Sequence, residues 1–229
     1  QEPRSMTNPR IRHVHARQIL DSRGRPTVEV DIELANGSTG RAAVPSGAST
    51  GSAEAHELRD GDTNQYRGLG VTKAVANVNG EVAAAVQGMD AMDQKGLDRR
   101  LVEIDGTPQL KRIGANGILG VSMAASRASA AAQRVPLYAR IAEMCGKTAV
   151  QLPLPMVNIL SGGLHAGRGM DVQDFLAIPA RASDMADAIH IMSRVRSAAA
   201  EVAAERGLPT LLADEGGLSQ FLFEGMAVD

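Results

Sequence analysis

Apolar and acidic residues alternate strictly in residues 28–34 (VEVDIEL) near the start of the chain. This period of two is typical of a strand with one buried face. A tight-turn pair, Asn36 and Gly37, separates it from a second apolar segment over residues 39–44, and residues 11–19 form a plausible strand before it. The pattern therefore predicts a three-stranded antiparallel meander.

Helical spacing of apolar residues follows the predicted strands. Residues 71–86, 116–133 and 137–144 each place apolar side chains on one helical face, and Pro136 separates the last two segments. A run of strands followed by a run of helices indicates an α+β domain, which we place at residues 10–145.

The pattern changes at Pro153 and Pro155, which mark entry to a second domain over residues 152–229. Short apolar strands are predicted over residues 156–160, 172–178 and 210–213. Between the last two lies a predicted helix with Ser183 as its N-cap and Gly207 at its end. This alternation is typical of the start of a (β/α) barrel, in which functional residues lie at the C-terminal ends of strands.

Composition narrows the possible partners. The chain of 229 residues has a net charge of -2 with its basic residues spread along it, and it contains no run of about 18 apolar residues. These features argue against nucleic-acid and membrane partners. A single cysteine, Cys145, favours a reducing cytoplasm. We expect Cys145 to be a small buried hydrophobe near a helix end.

Two segments of small residues carry polar side chains that suit an anion or a cation. Residues 45–51 (PSGASTG) follow a predicted strand, and their backbone N–H groups can approach an anion while the Ser49 hydroxyl can bind a hard cation. Composition alone fits an ordinary loop better. His165 follows residues 162–163 (GG), where it can bind phosphate or transfer a proton, although a lone histidine is more often structural.

Acidic residues accompany the predicted barrel strands. Asp174 lies within an apolar strand, where a carboxylate is costly unless it is paired or faces a polar barrel mouth. Asp214 and Glu215 follow the third strand and precede two glycines, which favours a functional site. If these strands are parallel, His165, Asp174 and Glu215 converge on one mouth.

Taken together, these motifs resemble the enolase family. Residues 21–30 (DSRGRPTVEV), 42–51 (AAVPSGASTG) and 214–217 (DEGG) are similar to the family's opening, its mobile loop and a barrel motif, and the resemblance covers about residues 11 to 218. It implies an α+β N-terminal capping domain followed by the start of an enolase-type (β/α)8 barrel. The implied reaction is the Mg²⁺-dependent, reversible dehydration of 2-phosphoglycerate to phosphoenolpyruvate in glycolysis.

The resemblance also implies residue roles, since family members stabilise a charged intermediate with Mg²⁺. The implied catalytic residues are Glu215, Asp174 and His165, the substrate-binding residues are Gln173, Gly47, Ala48 and Arg17, and the metal ligand is Ser49. Glu215 would be the general acid, with Asp174 supporting it. A cytoplasmic homodimer that binds a small phosphorylated hydroxy acid is implied as well.

Some positions depart from the family pattern. Asp174 stands where the family has glutamate, Ser161 where asparagine is usual, and residues 218–219 replace phenylalanine and alanine. A shift of about 1 Å in a reacting group can cost on the order of a hundredfold in rate. A paralogue with a phosphonate substrate, such as a carboxyphosphonoenolpyruvate synthase, is therefore an alternative.

The resemblance also predicts that the chain is incomplete. A family member continues well beyond Asp229, with acidic Mg²⁺ ligands and a lysine base, and a loop is expected between Ser219 and Gln220. If the chain truly ended at Asp229, a third interpretation would hold, in which it is a non-catalytic enolase-like binding protein.

Overall fold

The structure is a computed structural model in which the chain forms two compact units, Gln1–Val150 and Gln151–Asp229. It describes residues 8–47, 51–148, 151–163, 171–208, 210–213 and 216–219. Each unit contains its own three-stranded sheet.

The sheet of the first unit is the predicted antiparallel meander. Its strands are β1 (Ile11–Leu20), β2 (Pro26–Leu34) and β3 (Thr39–Ala43), hydrogen-bonded in that order. Val30 at the centre of β2 lies between Ala16 and Ala42. Gly37 makes the β2–β3 turn at a φ of 82°, which glycine adopts without a steric penalty.

Helices cover this sheet. They are α1 (Thr72–Asn77), α2 (Ala83–Val86), α3 (Gln94–Asp105), α4 (Ala115–Gln133) and α5 (Leu137–Met144). The helix predicted over residues 71–86 contains one π-helical turn, Val78–Val82, which joins α1 to α2. Helix α3 is absent from the predicted helices because its other residues are mostly polar, and Leu97 and Leu101 alone are its fully buried apolar side chains.

Small residues allow α4 to pack directly on the sheet. A Cβ atom at Gly40 of β3 would lie 2.2 Å from the carbonyl oxygen of Ala124, and one at Gly120 would lie 2.7 Å from Cγ2 of Val30. The alanine-rich sequence of α4 thus reflects close contact between backbones. The core beneath it is aliphatic and includes Ile11, Val28, Val30, Ile32, Leu34, Val71, Leu101 and Val121.

Buried charged side chains hold the ends of the helices. The Asp105 carboxylate, at the end of α3, accepts hydrogen bonds from the backbone N–H groups of Thr107 and Ile113 at 3.0 and 2.6 Å. Arg140 of α5 donates to the Met92 carbonyl at 2.7 Å and to Glu143 at 2.8 Å. Such contacts satisfy polar groups that burial would otherwise make costly.

The second unit contains β4 (Val157–Ser161), β5 (Asp174–Ala177), α6 (Met185–Glu205) and β6 (Leu218–Ser219). Strand β4 is parallel to β6 but antiparallel to β5. The prediction that three site residues converge required parallel strands, and β4 and β5 do not meet this condition. The described residues that connect β4 to β5 include no crossover helix. Asp174 begins β5 instead of lying within it, and it pairs with Ser161 at the end of β4.

Several local predictions for this part of the chain are corrected by the structure. The predicted strand over residues 210–213 contributes one isolated bridge, between Leu212 and Leu218. The N-cap of α6 is Asp184, whose carboxylate accepts from the Asp187 N–H at 2.9 Å, while the Ser183 N–H donates to the Asp187 carboxylate. Within the described residues, no helix is long and apolar enough to cross a membrane.

Cys145 is also placed differently from the prediction. It follows α5 as its C-cap residue, but its side chain is exposed instead of buried. The helix end lies at the surface, so proximity to an apolar helix did not imply burial.

Candidate active site

The segment that follows β3 is held between two arginines. Arg23 donates from Nη2 to the carbonyl oxygen of Ser46 at 2.6 Å, and Arg59 donates from Nη2 to the Ser46 Oγ at 2.9 Å. Glu57 completes the group, since it accepts from Arg59 at 2.7 Å and from the Ser46 hydroxyl at 3.2 Å. Ser46 is thereby fixed on both its backbone and its side chain, immediately before Gly47.

Arg59 also ties this segment to the rest of the unit. Its Nη1 donates to the carbonyl oxygens of Pro26 and Leu69, each at 2.6 Å. The planar guanidinium presents several donors in a fixed geometry, which suits such a junction. Arg23 and Arg59 were not among the predicted site residues, although Arg23 lies within a motif that carries the resemblance. Their clustering becomes visible only in three dimensions.

A cavity of about 470 Å³ opens beside Gly47. Arg25, His56, Arg59 and Lys111 line it together with Glu54 and Glu57. The segment around His56 is anchored by Asn116, whose side-chain amide pairs with the Leu58 backbone N–H and carbonyl at 3.2 and 3.1 Å. Three basic side chains against two acids make the lining suitable for a small anion.

Arg17 is engaged elsewhere on the sheet. Its guanidinium donates to Glu29 and Asp31 on the neighbouring strand β2. Hydrogen bonds from Arg41 and from Arg17 hold the pKa of Asp31 below its usual range, against the opposing effect of burial. The predicted substrate contact of Arg17 thus remains a prediction, and the observed partners of this side chain are carboxylates of its own sheet.

In the second unit, a polar cluster lies where β4 ends and β5 begins. Asn158 donates from Nδ2 to the Asp174 Oδ1 at 2.6 Å and to the Ser161 Oγ at 3.0 Å. Residues three apart in a regular strand face opposite sides. An irregularity in register between Asn158 and Leu160 brings Asn158 and Ser161 to one side.

Backbone contacts close this cluster. The Gly162 N–H donates to the Gln173 carbonyl at 2.6 Å, and Gly163 adopts a φ of 56° close to the Gln173 side chain. A Cβ atom at Gly217 would lie 2.3 Å from the Ser161 Oγ. The glycines allow the backbone to approach closely at a point where side chains would collide.

The predicted site residues are therefore placed in part. Asp174 and Gln173 lie at the β4–β5 end of the second unit, while Gly47 and Arg17 lie in the first unit. His165, Glu215, Ala48 and Ser49 lie outside the described residues. Across the part of the chain that the structure describes, no group of three or more His, Cys, Asp or Glu side chains is arranged to hold a metal ion.

The fold defines a protein in which an α+β domain precedes a second unit with a mixed three-stranded sheet and a long helix. Residues 11–141 match the family model of the enolase N-terminal domain, and residues 149–224 match that of the enolase C-terminal TIM barrel domain. The chain is 48% identical over 209 residues to Enolase 2 of Lactococcus lactis subsp. lactis. The aligned region covers 91% of this chain and 48% of that protein. The chain belongs to the enolase family, and it spans about half the length of this curated relative.

Proposed function

We propose that the complete protein containing this chain is an enolase-type lyase that interconverts 2-phosphoglycerate and phosphoenolpyruvate. The observation that carries the proposal is the 48% identity over 209 residues to a protein named Enolase 2, together with the matches to both enolase domain models. The structure of this chain adds two supporting features, one in each unit.

The first supporting feature is the cavity beside Gly47. Its lining by Arg25, Arg59 and Lys111 suits a substrate that carries phosphate and carboxylate groups. Ser46 is held by two arginines, so the segment entering the predicted mobile loop starts from a fixed point. We propose that Gly47 and Ala48 lie near the substrate carboxylate and that Arg17 is a further substrate-binding residue.

The second supporting feature is the orientation of Asp174. A catalytic carboxylate needs a defined position, because small displacements of a reacting group are costly in rate. The amide of Asn158 supplies a fixed donor to it at 2.6 Å. We propose that Asp174 and Gln173 contact the substrate, that Glu215 is the general acid supported by Asp174, and that His165 lies near the phosphate.

Mg²⁺ is proposed as the cofactor on the basis of family membership, with Ser49 as a ligand. Bound Mg²⁺ would stabilise the negative charge that develops when a proton is removed beside a carboxylate. No group of three or more His, Cys, Asp or Glu side chains in the described part of the chain is arranged to hold a metal ion, so we propose the metal requirement for the complete protein. We also propose a cytoplasmic homodimer, which sedimentation of the complete protein would test.

A direct assay tests the proposed reaction. The complete purified protein is mixed with 2-phosphoglycerate, with and without Mg²⁺, and the enol product is followed by its ultraviolet absorbance. Product formation that requires Mg²⁺ is expected. A complete protein that binds Mg²⁺ but forms no product would contradict the proposal.

The side chain at position 174 is a reason to test a second substrate in the same assay. Because Asp174 stands where the family has glutamate, an analogue that places its reacting group differently could be the better substrate. A phosphonate analogue should therefore be compared at equal concentration. A higher kcat/KM for the phosphonate would favour the paralogue over the glycolytic enzyme.

A further inference from the structure

The two departures from the family pattern at positions 161 and 174 contact the same side chain. Ser161 and Asp174 are cross-strand partners at the end of β4, and Asn158 donates a hydrogen bond to each. Each side chain is shorter than the residue that the resemblance implies there, which is asparagine at position 161 and glutamate at position 174. Because both side chains accept from the same amide, the size of one bears on the position of the other.

The cluster of Asn158, Ser161 and Asp174 is closely packed around Ser161. Ser161 is completely buried, and the backbone of Gly217 approaches its hydroxyl so closely that a Cβ atom there would lie 2.3 Å away. The backbone of Gly217, which follows Glu215 and Gly216 in the chain, therefore lies directly beside position 161. The size of residue 161 is therefore linked to the position of this glycine segment.

The orientation of the Asn158 amide is determined by its neighbours. Its NH₂ group has two protons, and the two acceptors found are the Ser161 Oγ and the Asp174 Oδ1. Its Oδ1 is buried and has no hydrogen-bond partner among the described residues. Rotating the amide by half a turn would place this oxygen against the carboxylate of Asp174, which is electrostatically unfavourable.

We propose that Asn158 is a positioning residue that orients the Asp174 carboxylate, and that Ser161 and Asp174 are a matched pair adapted to it. A glutamate at position 174 would carry its carboxylate one methylene beyond the Asn158 amide. An asparagine at position 161 reaches further than serine and supplies a donor at that longer distance. The catalytic part of this proposal rests on the proposed function.

An exchange of donor and acceptor tests the contact in the complete protein. N158D sets two carboxylates against each other and should lower Tm by at least about 2 °C. D174N should change Tm little, because its amide oxygen still accepts from Asn158. N158D/D174N restores an amide–carboxylate pair in reverse and should recover most of the lost Tm.

Activity separates positioning from a purely structural role. N158D should lower kcat roughly tenfold to a hundredfold with KM changed by less than about threefold. The exchanged variant N158D/D174N should regain Tm but not kcat, since its carboxylate is on the wrong strand. N36D is the matched control, because Asn36 accepts from the Ser38 N–H in a surface turn, and aspartate keeps that acceptor. It should leave both quantities unchanged.

A second set of variants tests the matched pair. D174E alone should lower kcat about tenfold, and S161N alone should also lower it, whereas S161N/D174E should recover to within about threefold of the parent. Multiplicative effects of the two changes, or a gain of kcat in D174E alone, would overturn the pairing. Failure of N158D/D174N to recover Tm would overturn the contact.

The outcomes also distinguish this inference from the proposed function. A parent protein without hydratase activity defeats the proposed function, and the Tm exchange still decides whether Asn158 and Asp174 are paired. An active parent in which N158D keeps full kcat supports the function and overturns the positioning role.

Discussion

The two units of this chain bury their apolar residues very differently. In the first unit, Val28, Val30, Leu97 and Leu101 are among many fully buried side chains that pack between the meander and the helices. In the second unit, Phe175 and Leu176 of β5 remain 40% and 47% exposed. A sheet stabilises a fold only when its apolar face is covered, and the first unit achieves this within its own sequence.

The difference explains where sequence patterns were reliable. In the first unit, the partners of each strand follow it closely in the chain, so the alternation in residues 28–34 leads directly to the observed pairing. In the second unit, the apolar strand β5 shows no covered face, and the chain spans about half of the relative it matches. The contrast between the units can be tested in several ways. They are to separate the units, to change side chains at tightly packed positions of the first unit and to titrate a buried carboxylate there.

The largest expected effect comes from separating the units. A fragment of residues 8–148 should unfold in a single cooperative thermal transition, because its core is complete. A fragment of residues 151–229 should show no such transition and should bind a hydrophobic dye, because it exposes apolar side chains and unpaired strand edges. Calorimetry and dye fluorescence measure both properties, and a cooperative transition in the second fragment would refute the contrast.

Replacing one leucine by alanine in each unit should give the next largest difference in stability. Leu101→Ala removes a fully buried side chain and should lower the unfolding free energy of the first fragment by about 2–5 kcal/mol. Leu176→Ala removes a side chain that is 47% exposed and should change the Tm of this 229-residue chain far less than Leu101→Ala does in the same chain. Equal shifts of Tm for the two variants would contradict the unequal packing.

Adding one methyl group tests the contact between α4 and the sheet. Gly40→Ala should lower the stability of the first fragment by at least about 1–3 kcal/mol, because the new Cβ would collide with backbone atoms of Ala124 and Ala128. Gly80→Ala is the matched control, since a Cβ there meets no atom within 4 Å. Gly80 lies in a helical segment, so alanine should stabilise it by up to about 1 kcal/mol. Urea unfolding of both variants measures these two changes in stability.

The smallest expected effect concerns the acid stability of the first fragment. Burial tends to raise the pKa of Asp105, but hydrogen bonds from Thr107 and from the Ile113 N–H outweigh it and lower that pKa. A lowered folded-state pKa stabilises the fold at pH values above the unfolded pKa, and this stabilisation is lost as pH falls through the folded pKa. Asp105→Asn should therefore cost about 1–2 kcal/mol at neutral pH and progressively less in acid.

This pH dependence has its own control. Glu81→Gln removes an exposed partner of Arg112, and exposed ion pairs contribute little to stability. Its unfolding midpoint should match that of the parent at neutral pH. If Asp105→Asn lost the same amount of stability at every pH, the charge of Asp105 would not be responsible.

Local pattern by itself determined the meander, the helical segment over residues 71–86, α4 and α5 in the first unit, and the approximate positions of β4 and β5. Each depends on apolar periodicity within a short window, which the sequence displays directly. The same reasoning missed α3, since only Leu97 and Leu101 of that helix are fully buried apolar residues. It also placed Cys145 in a core, because exposure of a helix end is a property of what packs against it.

Tertiary structure alone decided which polar groups meet. The antiparallel return of β5 places Asp174 opposite Ser161, and the irregularity in β4 turns Asn158 toward both. Likewise, Arg23 and Arg59 are far apart in sequence but meet at Ser46. Sequence spacing reports which residues share a strand or helix face, whereas contacts between distant segments depend on strand direction, register and the close approach of backbones.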